Sequence, residues 1–408
     1  MVRISLDMCI ADMICPADIF SPDAKNRLLL KKGVPLSENA KRLLAQNKVE
    51  FIDFPLPFEK RDAVPFTFSN ETESSLFRLA RDSFRAYKND AIADPLELRK
   101  EAYDILAQAA SEFEKLYVKE HPVTDAEPKR ELRSIIHLRT VGALQDYLFE
   151  HAKNVSLISL ALGFDYFSDS KQRLSDLHKV SVAGLFADIG MMKIPSRILT
   201  QETELSEKDW EIVRKHPETS AQFVESLFRQ KNFITAKIVL QHHERMDGSG
   251  YPAGITGHTM EPYASVLAVA DSYNSMISKR YFRPVYEPLE ALASINQAAG
   301  KLYDKKAAEC LNFRIAPYPI GTVAHFLKEQ LIQVVELTNI PSDIGSIKIP
   351  VNSKGEGFYN IPKTIRKFVL EQSQPPDNAV SIEGQGDKIG KPLDAFDLLS
   401  AYGYVAKS

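Results

Sequence analysis

The first 60 residues alternate between apolar and polar positions over short runs. Residues 2–6 and 49–53 follow this period of two, and residues 26–30 form a short run that leads to Lys32-Gly33; we predict strands in all three. Between the last two runs, Ser37 precedes a short amphipathic segment and is a candidate N-cap of a helix. We therefore predict a small N-terminal α+β module over residues 1–60, followed by a linker that contains several prolines.

Helical periodicity replaces this alternation from residue 70 onwards. Two long amphipathic segments over 70–117 are separated at Asp94-Pro95, because the residue before a proline disfavours the helical conformation. With the linker before them, they form a predicted unit over residues 61–135. A helical pair in this place is typical of a dimerisation or signalling stalk, or it packs on the domain that follows. The sequence leaves both interpretations open.

The longest helical stretch follows and is the predicted core of the protein. From residue 132 to about 308, apolar residues keep a helical spacing without a convincing alternating strand. Within it, Ser206 and Asp209 lie three residues apart, as in a capping box at the start of a helix. We predict a helical domain over residues 136–317.

The pattern changes again after residue 318. Three short apolar runs predict strands: 322–326, 331–337 and 346–349. Ile361-Pro362 predicts the start of a helix, and the polar stretch 372–391 predicts a loop. Residues 318–408 are predicted as a small β module with a C-terminal tail. The fold class is therefore mainly α, with an all-helical core, a small N-terminal α+β module and a small C-terminal β-containing module.

Charge and composition narrow the choice of partner. The 408 residues are 44% hydrophobic and 26% charged, as in an ordinary globular protein. The net charge of −3 argues against polymeric nucleic acid as a partner, although a local basic cluster would suffice for a small anionic ligand. No apolar run approaches the length of a membrane span, and Asp7 and Asp12 interrupt the apolar start that a signal peptide would need.

The cysteines favour a reducing compartment. Their number is odd, and their spacing fits neither a disulfide framework nor a zinc motif. We interpret Cys9, Cys15 and Cys310 as small buried residues, and we expect the protein to be cytoplasmic.

Histidines and aspartates of the helical region form a candidate metal site. The adjacent His242 and His243 end an apolar helical run and precede a glycine-rich turn. Imidazoles with carboxylates suit iron, manganese or zinc, and two bridged ions would generate a nucleophile and stabilise phosphoryl charge. Taken singly, each candidate is more often a hydrogen-bonded core or surface group, but burial of two neighbouring imidazoles without a purpose is uncommon. The other candidates are His151, Asp188, His216 and Asp271.

Three motifs resemble those of HD-GYP domains, within the HD superfamily of metal-dependent phosphohydrolases. They are His242-His243-Glu244-Arg245, Asp247-Gly248-Ser249-Gly250-Tyr251-Pro252 and Val269-Ala270-Asp271. The resemblance covers about residues 140–313 and includes Lys215-His216-Pro217. It implies an all-α core that hydrolyses cyclic di-GMP in bacterial signalling, at a centre of two or three metal ions.

The resemblance also implies a role for each matching residue. Asp188 would be the metal-bridging and catalytic carboxylate, and Tyr251 would contact a guanine or order its loop. Arg280 and Arg283 would hold the phosphates, for which guanidinium groups are suited, although they also fit a solvated loop pair. The implied ions are iron or manganese, one or two per chain. The implied ligands are His151, Asp188, His216, His242, His243 and Asp271.

Three positions depart from the pattern of the family. The name-giving His-Asp pair is Ala187-Asp188, so one imidazole ligand is missing. A lysine expected to hold the scissile phosphate is replaced by Met191, which we interpret as core filling. Tyr147 stands where some members have a glutamate, which argues against a third metal.

Three hypotheses follow. The first is a degenerate HD-GYP protein that binds cyclic di-GMP or a metal, or both, with weak or lost phosphodiesterase activity. The alternative is an active cyclic di-GMP phosphodiesterase with an altered metal centre, in which metal hydroxide attacks the phosphodiester. The third is a purely structural interaction module. Under the first, signals would pass through the N-terminal and helical segments to a second copy of the chain or a signalling protein.

Overall fold

The computed structural model describes segments of each predicted unit. They are residues 2–6, 9, 13–21, 27–49, 51–54, 68–120, 140–141, 147–201, 203–229, 233–278, 286, 288–315, 323–326, 330–336, 359–360, 367–370, 379–381 and 388–392. Among the helices in these segments, none combines the length and the apolar character of a membrane-crossing helix.

The N-terminal module contains short paired strands and one helix. Its elements are β1 (Val2–Ser5), β2 (Ile19–Phe20), β3 (Leu28–Leu30), α1 (Glu38–Gln46) and β4 (Phe51–Phe54). Strand β1 pairs antiparallel with β4, and β2 pairs antiparallel with β3. The hydroxyl oxygen of Ser37 accepts a hydrogen bond from the backbone N–H of Ala40, so Ser37 is the N-cap of α1, as predicted.

The mainly helical core is confirmed. The described helices that follow the N-terminal module are α2 (Asn70–Lys88), α3 (Pro95–Glu120), α4 (Tyr147–Tyr166), α5 (Arg173–Phe186), α6 (Ser196–Leu199), α7 (Glu207–Val213), α8 (His216–Phe228), α9 (Ile234–Leu240), α10 (Pro262–Ile277), α11 (Pro288–Gln297) and α12 (Lys305–Arg314), and the core begins with α4. A 3₁₀ helix, Ile189–Lys193, lies between α5 and α6. Helix α4 is buried along nearly its whole length and packs on α5 and α10, which places it at the centre of the core.

The helical pair α2 and α3 packs on the core. The Phe84 ring of α2 lies 5.9 Å from the Phe149 ring of α4, and the Phe113 ring of α3 lies 5.0 Å from the Phe164 ring. These aromatic residues belong to one continuous hydrophobic cluster with the core. Of the two interpretations that the sequence left open, packing on the following domain is therefore the observed one. The carboxylate of Asp94 caps α3 after the predicted break.

A short strand corrects the prediction of helix throughout the core region. Strand β5 (Thr140–Val141) pairs in parallel with β1, with Arg3 opposite Thr140. Two residues are too few to show an alternating pattern, so periodicity could not reveal this strand. The pairing joins the start of the helical domain to the N-terminal sheet.

The C-terminal region contains an antiparallel sheet that is larger than predicted. Its described strands are β6 (Val323–Phe326), β7 (Gln330–Glu336), β8 (Tyr359–Asn360), β9 (Lys367–Leu370), β10 (Ala379–Ser381) and β11 (Lys388–Pro392). Strands β6 and β7 match two predicted runs, and the third run, 346–349, lies outside the described residues. Strand β9 occupies the region where a helix was predicted, and β10 and β11 occupy the predicted loop. Those two predictions were wrong.

Candidate metal centre

The structure brings together all the residues predicted as metal ligands. Their candidate ligand atoms form two subsets, and within each subset they lie within 4.8 Å of one another. We call the first ligand group Asp188, His216, His242 and His243. We call the second ligand group His151, Asp188 and Asp271. All of these side chains are buried except His243, which is half-buried.

Separate helices supply these side chains. His151 lies in α4 and Asp271 in α10, the two helices at the centre of the core. Asp188 follows the end of α5, and His216 is the first residue of α8. The pair His242-His243 follows the end of α9. Because rigid helices and their ends carry the ligands, the core presets the geometry of the cluster.

In the first ligand group, imidazoles surround one oxygen of Asp188. The Oδ1 atom of Asp188 lies 3.1 Å from Nε2 of His216 and 3.8 Å from Nε2 of His242. The two Nε2 atoms are 3.3 Å apart. The ring of His243 lies 4.0 Å from that of His242, measured between centroids.

In the second ligand group, one imidazole contacts two carboxylates. Nε2 of His151 lies 2.9 Å from Oδ1 of Asp271 and 3.3 Å from Oδ2 of Asp188. Asp188 thus turns Oδ1 to the first group and Oδ2 to the second. This arrangement suits a carboxylate that bridges two cations, which is the role predicted for Asp188.

A close approach of two segments places Asp188 beside His216. A Cβ atom at Gly190 would lie 2.5 Å from the carbonyl oxygen of His216, so only glycine fits there without a shift. The backbone N–H of Gly190 also donates to the hydroxyl oxygen of Ser220 at 2.8 Å. The 3₁₀ helix is therefore held against the start of α8.

Backbone carbonyls orient two of the imidazoles. Nδ1 of His216 lies 2.7 Å from the carbonyl oxygen of Val213, and Nδ1 of His242 lies 2.5 Å from that of Val239. A carbonyl oxygen only accepts, so each Nδ1 carries a hydrogen, and each Nε2 faces the cluster. Metal-binding histidines in proteins are held in this way.

Electrostatics favour ionised carboxylates in the cluster. Burial opposes ionisation, but the imidazoles of His216 and His242 beside Asp188 outweigh it and hold its pKa well below the usual range. Burial likewise opposes ionisation of Asp271, but the hydrogen bond from His151 outweighs it and holds its pKa below the usual range. Both aspartates therefore carry negative charge at neutral pH.

The two adjacent histidines are shifted in opposite directions. Burial lowers the pKa of His243 well below the usual range, and the neighbouring His242 lowers it further. For His242, burial acts in the same direction, but Asp188 and Asp271 outweigh it and raise the pKa. His243 is therefore neutral at pH 7, which is the form of imidazole that binds a cation.

The glycine-rich loop is anchored to the cluster by Glu244. This side chain is 1% exposed, and its two oxygens accept backbone N–H groups of Ala253 at 2.7 Å and Ile255 at 3.1 Å. A Cβ atom at Gly250 would lie 2.4 Å from the carbonyl oxygen of His243, so the loop also needs a glycine at this point. The sequence indicates no role for Glu244; its buried hydrogen bonds to the loop explain why a carboxylate follows the two histidines.

Tyr251 lies at the cluster, and its predicted contact with a guanine stays a prediction. Its backbone N–H donates to the carbonyl oxygen of His243 at 3.2 Å, and its ring lies 4.7 Å from the His243 ring. Burial, with the charges of Asp271 and Asp188, raises the pKa of its hydroxyl, so Tyr251 stays protonated at neutral pH. It is a neutral aromatic surface beside the first ligand group.

The helix end that faces the cluster lacks the expected polar groups. Ala187 is 4% exposed and offers only a methyl group next to Asp188. Met191 packs against the hydrophobic cluster of Ile194, Ile198 and Val213, which agrees with its interpretation as core filling.

Tyr147 supports His151 without offering a ligand to the second group. Its ring stacks on that of His151 with centroids 5.4 Å apart, and its hydroxyl lies 3.3 Å from Nδ1 of His151. The predicted phosphate-binding residues Arg280 and Arg283 lie outside the described residues, so their role stays a prediction.

The donor set of the cluster fits divalent cations. The first ligand group offers three imidazoles and one carboxylate, which suits zinc, iron or manganese. The second offers one imidazole and two carboxylates, a harder and more anionic set. Its buried carboxylates lie close together, and a cation between them would offset their repulsion.

Comparison with known proteins finds similarity to HD domains and to cyclic di-GMP phosphodiesterases. Residues 149–307 match the family model described as HD domain. A cyclic di-GMP phosphodiesterase of Pseudomonas aeruginosa is 28% identical over 207 residues, which are 50% of this chain and 47% of that protein. The cyclic di-GMP phosphodiesterase response regulator RpfG of Xanthomonas campestris is 26% identical over 218 residues, 53% of this chain and 55% of that protein. A cyclic di-GMP phosphodiesterase of Thermotoga maritima is 33% identical over 131 residues, 32% of this chain and 36% of that protein.

The HD-domain match lies over the helical core that carries the histidine–aspartate cluster. This match over residues 149–307 confirms the resemblance to HD domains that the sequence indicated. The chain spans about half the length of the first two relatives and about a third of the third.

Proposed function

We propose that this protein is a degenerate HD-GYP protein that binds divalent metal and cyclic di-GMP as a signalling protein, with weak or lost phosphodiesterase activity. One observation carries the proposal. All the candidate ligands lie together, whereas the helix end beside them presents the methyl group of Ala187 and turns Met191 into a hydrophobic cluster. Binding groups are therefore retained where groups that act in catalysis are absent.

The first ligand group would hold one ion, with Asp188 shared between this ion and a second one. His151 and Asp271 would complete the second position. Divalent ions bound there would neutralise phosphate charge and lower the pKa of water, which is the chemistry that hydrolysis of a phosphodiester needs. Iron or manganese are the proposed ions, one or two per chain.

The nucleotide would bind next to the first ligand group. Tyr251 offers a neutral aromatic ring on which a guanine can stack, and Glu244 fixes the loop that carries it. In the proposal, Arg280 and Arg283 hold the phosphates. Cyclic di-GMP is named because the relatives above are phosphodiesterases of that nucleotide.

The second position would bind metal more weakly than the first. It has three protein ligands, one of which it shares, and the residue next to Asp188 supplies none. Loss even of a group that only orients a ligand weakens metal binding by about 10- to 100-fold. Loss of a ligand itself should weaken it more, and weak occupancy of one of two positions would slow hydrolysis.

An active enzyme with an altered metal centre is the second candidate. It is favoured by the position of Asp188, whose two oxygens face the two ligand groups as a bridging carboxylate requires. In this case water would complete the second position, and Asp188 would act as catalytic residue.

One experiment separates the candidates. The purified protein is analysed for bound metal and then assayed for cyclic di-GMP binding and hydrolysis with added manganese or iron. We expect bound metal, nucleotide binding and little or no hydrolysis. Hydrolysis that is abolished in Asp188→Ala, but kept in the exposed control Asp169→Ala, would show that the protein is an active enzyme. Absence of both metal and nucleotide binding would leave a structural interaction module.

The proposal includes the cytoplasm as location, which accords with three buried free cysteines. Cyclic di-GMP is the proposed small-molecule partner, and the net charge of −3 argues against polymeric nucleic acid as a partner. A homodimer or a signalling-protein partner stays a prediction, which light scattering of the purified protein with and without cyclic di-GMP tests.

A further inference from the structure

His151 is oriented differently from His216 and His242. In those two residues, Nδ1 faces a backbone carbonyl, which only accepts. Nδ1 of His151 instead faces the side-chain amide of Asn274, whose Nδ2 lies 2.7 Å away, with the Tyr147 hydroxyl at 3.3 Å. A side-chain amide has a donor end and an acceptor end, so this contact does not settle by itself which nitrogen of His151 carries the hydrogen.

The amide of Asn274 is completely buried, and one of its two polar atoms makes a hydrogen bond among the described residues. The residue is 0% exposed and follows Asp271 by one turn of α10. Its Oδ1 atom is buried and has no hydrogen-bond partner among the described residues. A buried carbonyl oxygen is costly to leave without a hydrogen bond, so an arrangement in which Oδ1 accepts one has an energetic reason to exist.

Two arrangements of the amide direct His151 in opposite ways. In the observed one, Nδ2 of Asn274 donates to Nδ1 of His151, so Nε2 carries the hydrogen and donates to Asp271 at 2.9 Å. After a half-turn of the amide, Oδ1 accepts from Nδ1–H, and Nε2 has a free lone pair. Only the second arrangement allows His151 to bind a cation, because a protonated Nε2 has no lone pair to offer.

We propose that Asn274 is a positioning residue for His151 and that its amide turns over when a divalent cation enters the second ligand group. The inference rests on the metal binding proposed above. The observed arrangement pairs His151 with Asp271, and the alternative opens that pair to a cation without moving a helix. The first ligand group needs no such change, since backbone carbonyls already orient His216 and His242.

Nitrogen-15 NMR of labelled histidine measures the tautomer directly. The protein contains nine histidines, and the signals of His151 are assigned as those lost in His151→Gln. In chelator-treated protein we expect hydrogen on Nε2 of His151. After titration with zinc, which is diamagnetic, we expect hydrogen on Nδ1. The Nδ1–H tautomer both before and after zinc would contradict the turnover of the amide.

Two variants test the role of Asn274. In Asn274→Asp, the carboxylate can only accept, so His151 should adopt the Nδ1–H tautomer without zinc, and the second zinc should bind more tightly. In Asn274→Leu, which is similar in size, the second zinc should bind about 10- to 100-fold more weakly, as for other groups that orient metal ligands. The first zinc should bind as in the wild type.

A matched control comes from another asparagine of the same domain. Asn312 pairs its amide with Asn296 instead of a histidine, so Asn312→Leu should leave both zinc affinities unchanged. Thermal unfolding of each chelator-treated variant shows whether the fold is kept. Equal binding of the second zinc to wild type and folded Asn274→Leu would overturn the proposal.

The outcome also separates this inference from the proposed function. If zinc binds the first group and His151 does not change tautomer, the inference fails and the proposed metal binding stands. If no zinc binds, the proposed metal binding fails. The tautomer of His151 in wild type and Asn274→Asp, compared without zinc, still decides whether Asn274 positions His151.

Discussion

The two ligand groups share Asp188 but are built in different ways. In the first group, two imidazoles are oriented by carbonyls of their own backbone, three residues earlier. In the second, the single imidazole is held by side chains of Tyr147 and Asn274. Backbone partners follow from the course of a helix end, whereas side-chain partners change with a single substitution. The orientation of the imidazoles in the first ligand group is therefore less sensitive to substitution than that in the second.

The residues proposed to bind the nucleotide and the positions expected to act in catalysis lie on different segments around the cluster. The glycine-rich loop lies against the first group, and Glu244 anchors it there. Ala187 and Met191 belong to the segment that follows α5, next to the carboxylate that both groups share. Ala187 and Met191 stand where the resemblance implies an imidazole and a cation, whereas the loop keeps the residues of its motif. Under the proposed function, the scaffold retains a binding site while the set of groups needed for turnover is incomplete.

The largest expected effect comes from His242→Ala. His242 is 0% exposed and its Nε2 faces both Asp188 and His216, so its loss removes a ligand from the first ligand group. We expect the affinity for manganese to fall by more than about 100-fold, beyond the range for groups that only orient a ligand. Isothermal calorimetry measures it.

The exposed His258 provides the control, since His258→Ala should not change metal affinity. A folded His242→Ala variant that binds manganese like the wild type would mean that the cluster is not a metal site.

A double substitution, Ala187→His with Met191→Lys, should strengthen the weaker group. The added imidazole supplies the missing ligand next to Asp188, and the added lysine brings a cation that can contact phosphate. We expect the occupancy of the second position to rise by about 10-fold or more and hydrolysis of cyclic di-GMP to increase. Elemental analysis and a hydrolysis assay measure both.

The single substitution Met191→Lys is the matched control, because it adds charge without a ligand. If the double variant folds and gains neither metal nor activity, the pocket has diverged at further positions.

A smaller effect is expected for Glu244→Gln. Glutamine keeps one acceptor for the loop and places an amide NH₂ against the other backbone N–H. Loss of a hydrogen bond to a charged group costs about 1.5–3 kcal/mol, so cyclic di-GMP should bind about 10-fold more weakly. The metal affinity should change little, because Glu244 is not in either ligand group. Calorimetry with each ligand separates the two.

The exposed Glu211 in α7 provides the control, since Glu211→Gln should leave both affinities unchanged. An equal loss of metal and nucleotide affinity in Glu244→Gln would show that Glu244 supports the whole cluster instead of the loop.

The smallest expected effect is on the pH dependence of stability. The pKa values of Asp188 and Asp271 are lowered in the folded protein, so their ionised forms stabilise it above the unfolded value of about 3.9. This stabilisation is lost as the pH falls through the pKa values that the two aspartates have in the folded protein. Chelator-treated protein should therefore lose stability below about pH 4, measured by urea unfolding. Asp188→Asn should show a shallower loss, and an unchanged slope would contradict the assignment.

The ligand set of the site could be predicted from the sequence, whereas its orienting groups could not. His242, His243 and Asp271 lie in contiguous motifs, and His151, Asp188 and His216 could be placed by resemblance. The structure brings their side chains together; that they bind metal stays a prediction. Glu244 and Asn274 act through contacts with a folded loop and a distant helix. Only the spacing of Asn274, one turn after Asp271, could have indicated its position.

The predictability of the fold elements likewise depends on whether their contacts are local or distant in the sequence. Helices with an N-cap were predictable, since Ser37 and Ser206 bond to the backbone of the residue three positions on. Strands that depend on distant partners were not. Strand β5 consists of two residues paired with β1, and β9 follows Ile361-Pro362, where a helix was predicted. Pairing between distant segments leaves little trace in a short run of sequence.

The most direct test of binding without turnover is a single-turnover experiment. Manganese-loaded protein of known metal content is mixed with a smaller amount of cyclic di-GMP, and the nucleotide is recovered from the complex and identified by chromatography. We predict at least one tightly held ion per chain and cyclic di-GMP recovered intact. Rapid conversion to the linear dinucleotide, abolished by Asp188→Ala, would contradict this account.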